Sequence, residues 1–124
     1  MDTKLRRAWV KAVLLRIESV RNAEVEYSDP SLEHVMPQRL EGARQWTVNV
    51  PADTPHYLGN LTILHRPYNS DLGRASYLEK RAELVRSVVW LNRYFDEVST
   101  WDTAEIDNRT KALVDEFVRI VPQR

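Results

Sequence analysis

Between residues 4 and 21, apolar side chains recur at Leu5, Trp9, Val13, Ile17 and Val20. Steps of three and four keep them on one stripe of a 3.6-residue helix, so the chain is predicted to open with an amphipathic helix over 4–21. VEYSDPSLEHVM, residues 25–36, reads as two short strand-like ends around a Ser-Asp-Pro turn signal. Residues 38–57 hold Pro51 and Pro55 and little periodicity, which predicts irregular chain. YLGNLTILHRPYN, residues 57–69, contains a Gly-Asn turn, a short β-branched stretch and a proline that ends it. Helical spacing returns from Ala75 to about Val98 through Leu78, Ala82, Val85, Val89 and Tyr94. Asp102, with Glu105 three residues on, predicts a capping box. Behind it Ile106, Thr110, Leu113, Phe117 and Ile120 predict a last helix over about 103–121.

The expected fold is therefore α+β: two short strands embedded in mostly helical surroundings. A length of 124 residues predicts one domain, 1–124, with no repeat, linker or low-complexity segment. No apolar run approaches the roughly 20 residues of a membrane span, and the start lacks the pattern of a signal peptide, so the protein is expected to be cytoplasmic and not membrane-bound. There is no cysteine, which excludes disulfides and thiolate metal sites and argues against a structural zinc. His56 and His65 do not stand at zinc-finger spacing either.

The formal net charge of 0 conceals an asymmetry. Residues 1–21 carry six basic side chains against two acidic, and residues 74–93 five against two. Residues 94–118 reverse this, with seven acidic against two basic. A protein that grips a polyanion unaided is usually more basic, so nucleic-acid binding here would be local or shared with another chain or domain.

Glu33, His34, Asn60 and Asn69 are types that suit phosphodiester hydrolysis. The reaction needs a base to activate water and a cation to stabilise developing charge. A histidine serves as base near neutral pH once its tautomer is fixed, and a carboxylate with an amide oxygen suits magnesium. A strand–loop–strand–helix element would bring the four together. Each also has an ordinary reading: a hydrogen-bonded core histidine, a solvated strand glutamate, a Gly-Asn turn, and a helix cap at Asn69. Asn60-Leu61-Thr62 matches a glycosylation sequon, an accidental match where no secretory signal is seen.

LEHVMPQ, YLGNLTILHRPYN and YLEKRAELVRS, with the looser spacing of Trp101, Ile106, Arg109 and Leu113, together resemble an HNH (His-Me finger) nuclease. The similarity is to the C-terminal nuclease of GmrSD-like modification-dependent restriction systems. It is densest from Leu32 to Arg93.

The resemblance implies a ββα-metal core over about 31–85, flanked by the helices at 4–21 and 103–121. By position it implies His34 as general base, Asn60 as the residue that braces the loop and orients the base, and Glu33 and Asn69 as metal ligands. Glu33 stands where related enzymes often carry Asp. Arg66, Lys80 and Arg81 are the expected phosphate contacts. The implied activity is metal-dependent DNA cleavage in restriction or phage defence, with Mg2+, or Mn2+ in its place, as cofactor. The implied partners are DNA, modified DNA included, and a nucleotide-hydrolysing or DNA-recognition domain or subunit. The same residues also suit two rival readings: a catalytically inactive HNH-fold binding or scaffolding domain, and an enzyme that acts on RNA.

Overall fold

The computed structural model describes residues 3–27, 30–39, 46, 50–64, 72 and 75–121. Helix α1 spans Thr3–Arg21, strand β1 Ser31–His34, strand β2 Leu61–Leu64, helix α2 Tyr77–Arg86 and helix α3 Thr103–Ile120. Short 3-10 turns at Thr54–His56 and Leu58–Asn60 lead into β2, and a longer 3-10 segment, Trp90–Glu97, follows α2. The two strands pair antiparallel, with Glu33 opposite Thr62 and His34 opposite Leu61. This is an α+β arrangement with the sheet in a minor role.

Alternation along the strands divides the interior in two. Leu61 and Ile63 meet Val10, Val13, Leu14 and Ile17 of α1, with Val89, Leu91 and Leu113 closing that core. A second core gathers Val35, Leu64, Tyr77, Leu84, Phe95, Trp101 and Ile106. Its centre is aromatic: Tyr77 stacks on Trp101 at 5.7 Å, and Phe95 meets Trp101 edge-on at 5.2 Å.

Two predicted stripes face the wrong way. On α1, Val13 and Ile17 are buried, but Leu5 and Trp9 are 63% and 58% exposed, because the face that docks is Val10, Val13, Leu14 and Ile17. On α2, Leu78 is 63% exposed and Val85 is exposed, and the buried face is Tyr77, Lys80 and Leu84. The predicted helix over 75–98 is also broken. Ser87 ends α2 in extended geometry, and its hydroxyl accepts from the Val89 amide. A side chain that satisfies the local backbone competes with helix, and two β-branched valines follow it.

Glu18 then anchors what comes next. Its buried carboxylate accepts from the Trp90 amide at 2.8 Å and the Leu91 amide at 3.0 Å, and so caps the 3-10 segment from α1. Helix starts follow local chemistry more closely. Asp102 caps α3 by accepting from the Glu105 amide at 2.9 Å. Ser76 and Glu79 form a full capping box at the start of α2, on a Ser-x-x-Glu spacing.

Candidate active site

The strand β1 ends at His34, and its last two side chains leave opposite faces of the sheet. Leu32 and His34 share the face that carries Leu61 and Ile63 toward α1, and Glu33 shares the other with Thr62. Both Glu33 and His34 are buried, so neither is a solvated edge residue.

His34 is 9% exposed. Burial pulls its pKa down to about 4, with smaller contributions from His56, Arg7 and Lys80. The imidazole is thus neutral at physiological pH, the state a general base requires. His56, on the turn before β2, meets its ring edge-on at 5.6 Å. Nothing in the spacing of these two histidines signalled that contact, which arises from the packing of the Thr54–His56 turn against the end of β1. Gln38 Nε2 stands 3.5 Å from Nδ1 of His34, at the outer limit of a hydrogen bond.

Asn60 fixes the chain just beyond the imidazole. Its backbone carbonyl accepts from the Val35 amide at 2.9 Å, and its Oδ1 accepts from the Met36 amide at 2.7 Å. Its Nδ2 donates to the carbonyls of Met36 and Pro55, both at 2.9 Å. Trp101 Nε1 donates to the same Oδ1 at 2.9 Å. The amide is fully buried with both ends engaged, and a sequon acceptor would need an exposed one.

Helix α3 clamps the turn that carries Asn60. Arg109 Nη1 donates to the carbonyls of Gly59 at 2.9 Å and Leu61 at 2.7 Å, one on each side of Asn60. Thr110 Oγ1 accepts from the Gly59 amide at 2.8 Å. A Cβ on Gly59 would collide with the Ile106 carbonyl oxygen and with Thr110, so only glycine lets the turn sit directly on the helix backbone. The Arg109 guanidinium lies 4.8 Å from the Phe95 ring centroid, and burial lowers its pKa to about 9. Arg109 was legible only as part of a spacing. Its place between Ile106 and Leu113, on the apolar face of a helix, was the signal that it is a buried brace.

Lys80 and Arg81 are not where a phosphate contact belongs. Lys80 is fully buried, and its ammonium donates to Glu33 Oε1 at 3.2 Å and to the His34 carbonyl at 2.7 Å. It therefore ties the carboxylate to the backbone of the base. Burial raises the Glu33 pKa and lowers that of Lys80, and each partner's charge opposes the change in the other. Arg81 spends its guanidinium on the carbonyls of Phe95, at 2.8 Å, and Asp96. Asn69 and Arg66 lie outside the described residues.

The donor chemistry fits a magnesium-type ion held lightly. Among the described residues no three His, Asp or Glu side chains form a metal-binding group. Magnesium usually takes one or two carboxylates and completes its shell with water and substrate phosphate. Glu33 offers one: Lys80 occupies Oε1, and no described residue bonds Oε2.

A cavity of about 480 Å³ adjoins this region, lined by Met36, Trp46, Tyr77 and Trp101 among others. It touches the Asn60 brace through Met36 and Trp101 but is not lined by Glu33 or His34.

Comparison with curated proteins and with solved structures found no match. A family model does match, over residues 1–116, which takes in β1, the Asn60 turn, the buried lysine and the α3 clamp. The chain belongs to the family of C-terminal domains of GmrSD restriction endonucleases.

Proposed function

We propose that this domain is a metal-dependent DNA endonuclease of the HNH type, with β1, β2 and the helix after them as its ββα-metal element. The observation that carries the reading is the end of β1, where a neutral, buried His34 is followed by two amides held by Asn60. In this reading His34 takes the proton of the attacking water on its unprotonated ring nitrogen. Asn60 keeps the chain beyond His34 from shifting, and Lys80 holds the Glu33 carboxylate against the His34 carbonyl. A divalent ion, magnesium or manganese in its place, supplies when bound the positive charge that offsets charge on the phosphate and the departing 3′ oxygen. Glu33 and Asn69 are the residues that would hold it, and Arg66 is a proposed phosphate contact. Residues 1–124 are read as one nuclease unit in the cytoplasm, which acts with a nucleotide-hydrolysing or DNA-recognition domain or subunit in defence against foreign DNA.

The test is plasmid nicking with magnesium, manganese or EDTA, beside the His34→Ala protein. The parent should nick with either metal and stop in EDTA. His34→Ala should lose cleavage and keep DNA binding, because the base acts mainly in the transition state. Unchanged cleavage by His34→Ala, with contaminating nuclease excluded, would remove the mechanism.

A further inference from the structure

Arg109 is 1% exposed, and its guanidinium is only partly used. Nη1 donates to the Gly59 and Leu61 carbonyls, whereas Nε and Nη2 bond no described residue. These two nitrogens share one edge of the planar group, the fork that takes both oxygens of a carboxylate. The rings of Phe95 and Tyr94, at 4.8 and 5.7 Å, attract the charge without supplying an anion. Among the described residues no carboxylate pairs with Arg109 either. A buried cation with two unused donors bears a desolvation cost that a bound anion would offset.

Arg109 is also part of the wall of a second cavity, of about 260 Å³, between α3 and the Trp90–Glu97 segment. Trp90, Leu91, Ala112 and Leu113 give that wall its apolar surface. Two charged residues join them. Glu116 is held by Arg21 through bonds of 2.6–2.9 Å, so its charge is already met. Arg93 is exposed, and no described carboxylate pairs with it. The cavity is thus apolar in its walls and cationic in its free charge.

We propose that this cavity binds a small organic acid, with the carboxylate on the Nε–Nη2 edge of Arg109 and an apolar body against Trp90, Leu91 and Leu113. A carboxylate has two oxygens and the fork takes both, whereas a phosphate would turn its remaining oxygens to apolar walls. An Asp or Glu side chain from a partner carries too short a stem to fill this volume. The volume lies just under the roughly 300–1,000 Å³ of drug-sized sites, so the acid is ring-sized. Neither Glu33 nor His34 lines the cavity, and the proposal does not rest on the nuclease reading. Nη1 of the same guanidinium holds the Asn60 turn, so the acid binds a contact made only in the folded chain and should raise the melting temperature.

The experiment uses the full chain with benzoate as probe, benzamide as its neutral twin and acetate as the carboxylate without a ring. Benzoate should bind in calorimetry, raise the melting temperature and shift the Nε–H resonance of Arg109 in NMR. Benzamide keeps the ring without the charge and should bind more weakly by roughly tenfold or more. Acetate should also bind more weakly, since it buries little apolar surface. Ala112→Trp, at an exposed position of α3 on the cavity wall, should fill the cavity and abolish benzoate binding while the ligand-free melting temperature is kept. Arg93→Gln should weaken binding at low salt and matter little at high salt. Benzoate binding that survives Ala112→Trp undiminished, or that benzamide matches, would overturn the proposal. So would an Arg109 resonance that millimolar benzoate leaves unmoved, and the ring faces alone would then hold the guanidinium.

Discussion

Lys80 has no exposed surface, and an ammonium in that position must be matched group by group. It is matched by one carboxylate oxygen of Glu33 and one carbonyl of His34, both more than 40 residues away in sequence. Removal of one member of a buried pair leaves the other charged and unpartnered, which costs about 3–5 kcal/mol. Lys80→Met should therefore destabilise the fold by that amount in urea unfolding. Lys80→Met combined with Glu33→Gln should recover a large part, because the stranded carboxylate is gone. A solvent-facing phosphate contact would behave otherwise, with stability unchanged and only DNA affinity reduced. Asn60 belongs to the same class, since each end of its amide is spoken for by chain on either side of the site.

Among the elements, α3 does more than fill the core. It supplies Arg109 and Thr110 to the Gly59–Leu61 turn and approaches that turn backbone to backbone. Gly59→Ala would force the two apart, since the new methyl has no space beside Ile106 and Thr110. Overpacking of this kind costs about 1–3 kcal/mol. The expected outcome is a lowered melting temperature, with cleavage falling further than the loss of folded protein explains, because the Asn60 turn moves with the clamp. Cleavage that tracks folded fraction alone would mean α3 only supports the fold. The split between α2 and the Trp90–Glu97 segment has a related logic. Glu18 caps that segment from α1, so an element boundary is set by a residue 72 positions earlier.

At the scale of the molecule, the sheet lies between two cores and carries His34 toward one and Glu33 toward the other. Holding His34 neutral has a consequence for stability against pH. Its pKa falls from the ordinary 6.5 to about 4 on folding, chiefly through burial. The unfolded chain thus takes up this proton first as pH drops, so stability is intact above 6.5 and is lost progressively toward 4. The full effect is about 3 kcal/mol, at roughly 1.4 kcal/mol per tenfold difference in proton affinity. Urea midpoints measured across this window should decline, and the decline should be shallower for His34→Gln. An equal slope in both proteins would assign the acid sensitivity to other groups.

The amino-acid sequence alone determined where the outer helices and both strands lie, because hydrophobic period and capping residues act within one or two turns. The outer helices, the Asp102 cap, both short strands and the family motif were legible for that reason. The same reading carried one helix across 75–98, where Ser87 ends α2 and Glu18 caps a separate 3-10 segment. Only the tertiary structure decided which flank of α1 and of α2 is buried, whereas the predicted stripe of α3 is the one that packs. Leu5, Trp9 and Leu78 keep the helical period, yet they face outward because the sheet and its neighbours dock on the adjacent stripe. Only the fold could convert Lys80 from a surface cation to a buried partner of Glu33, make Arg109 a brace, and bring His56 to His34. Burial of a charge depends on partners that are distant along the chain, and no local pattern records them.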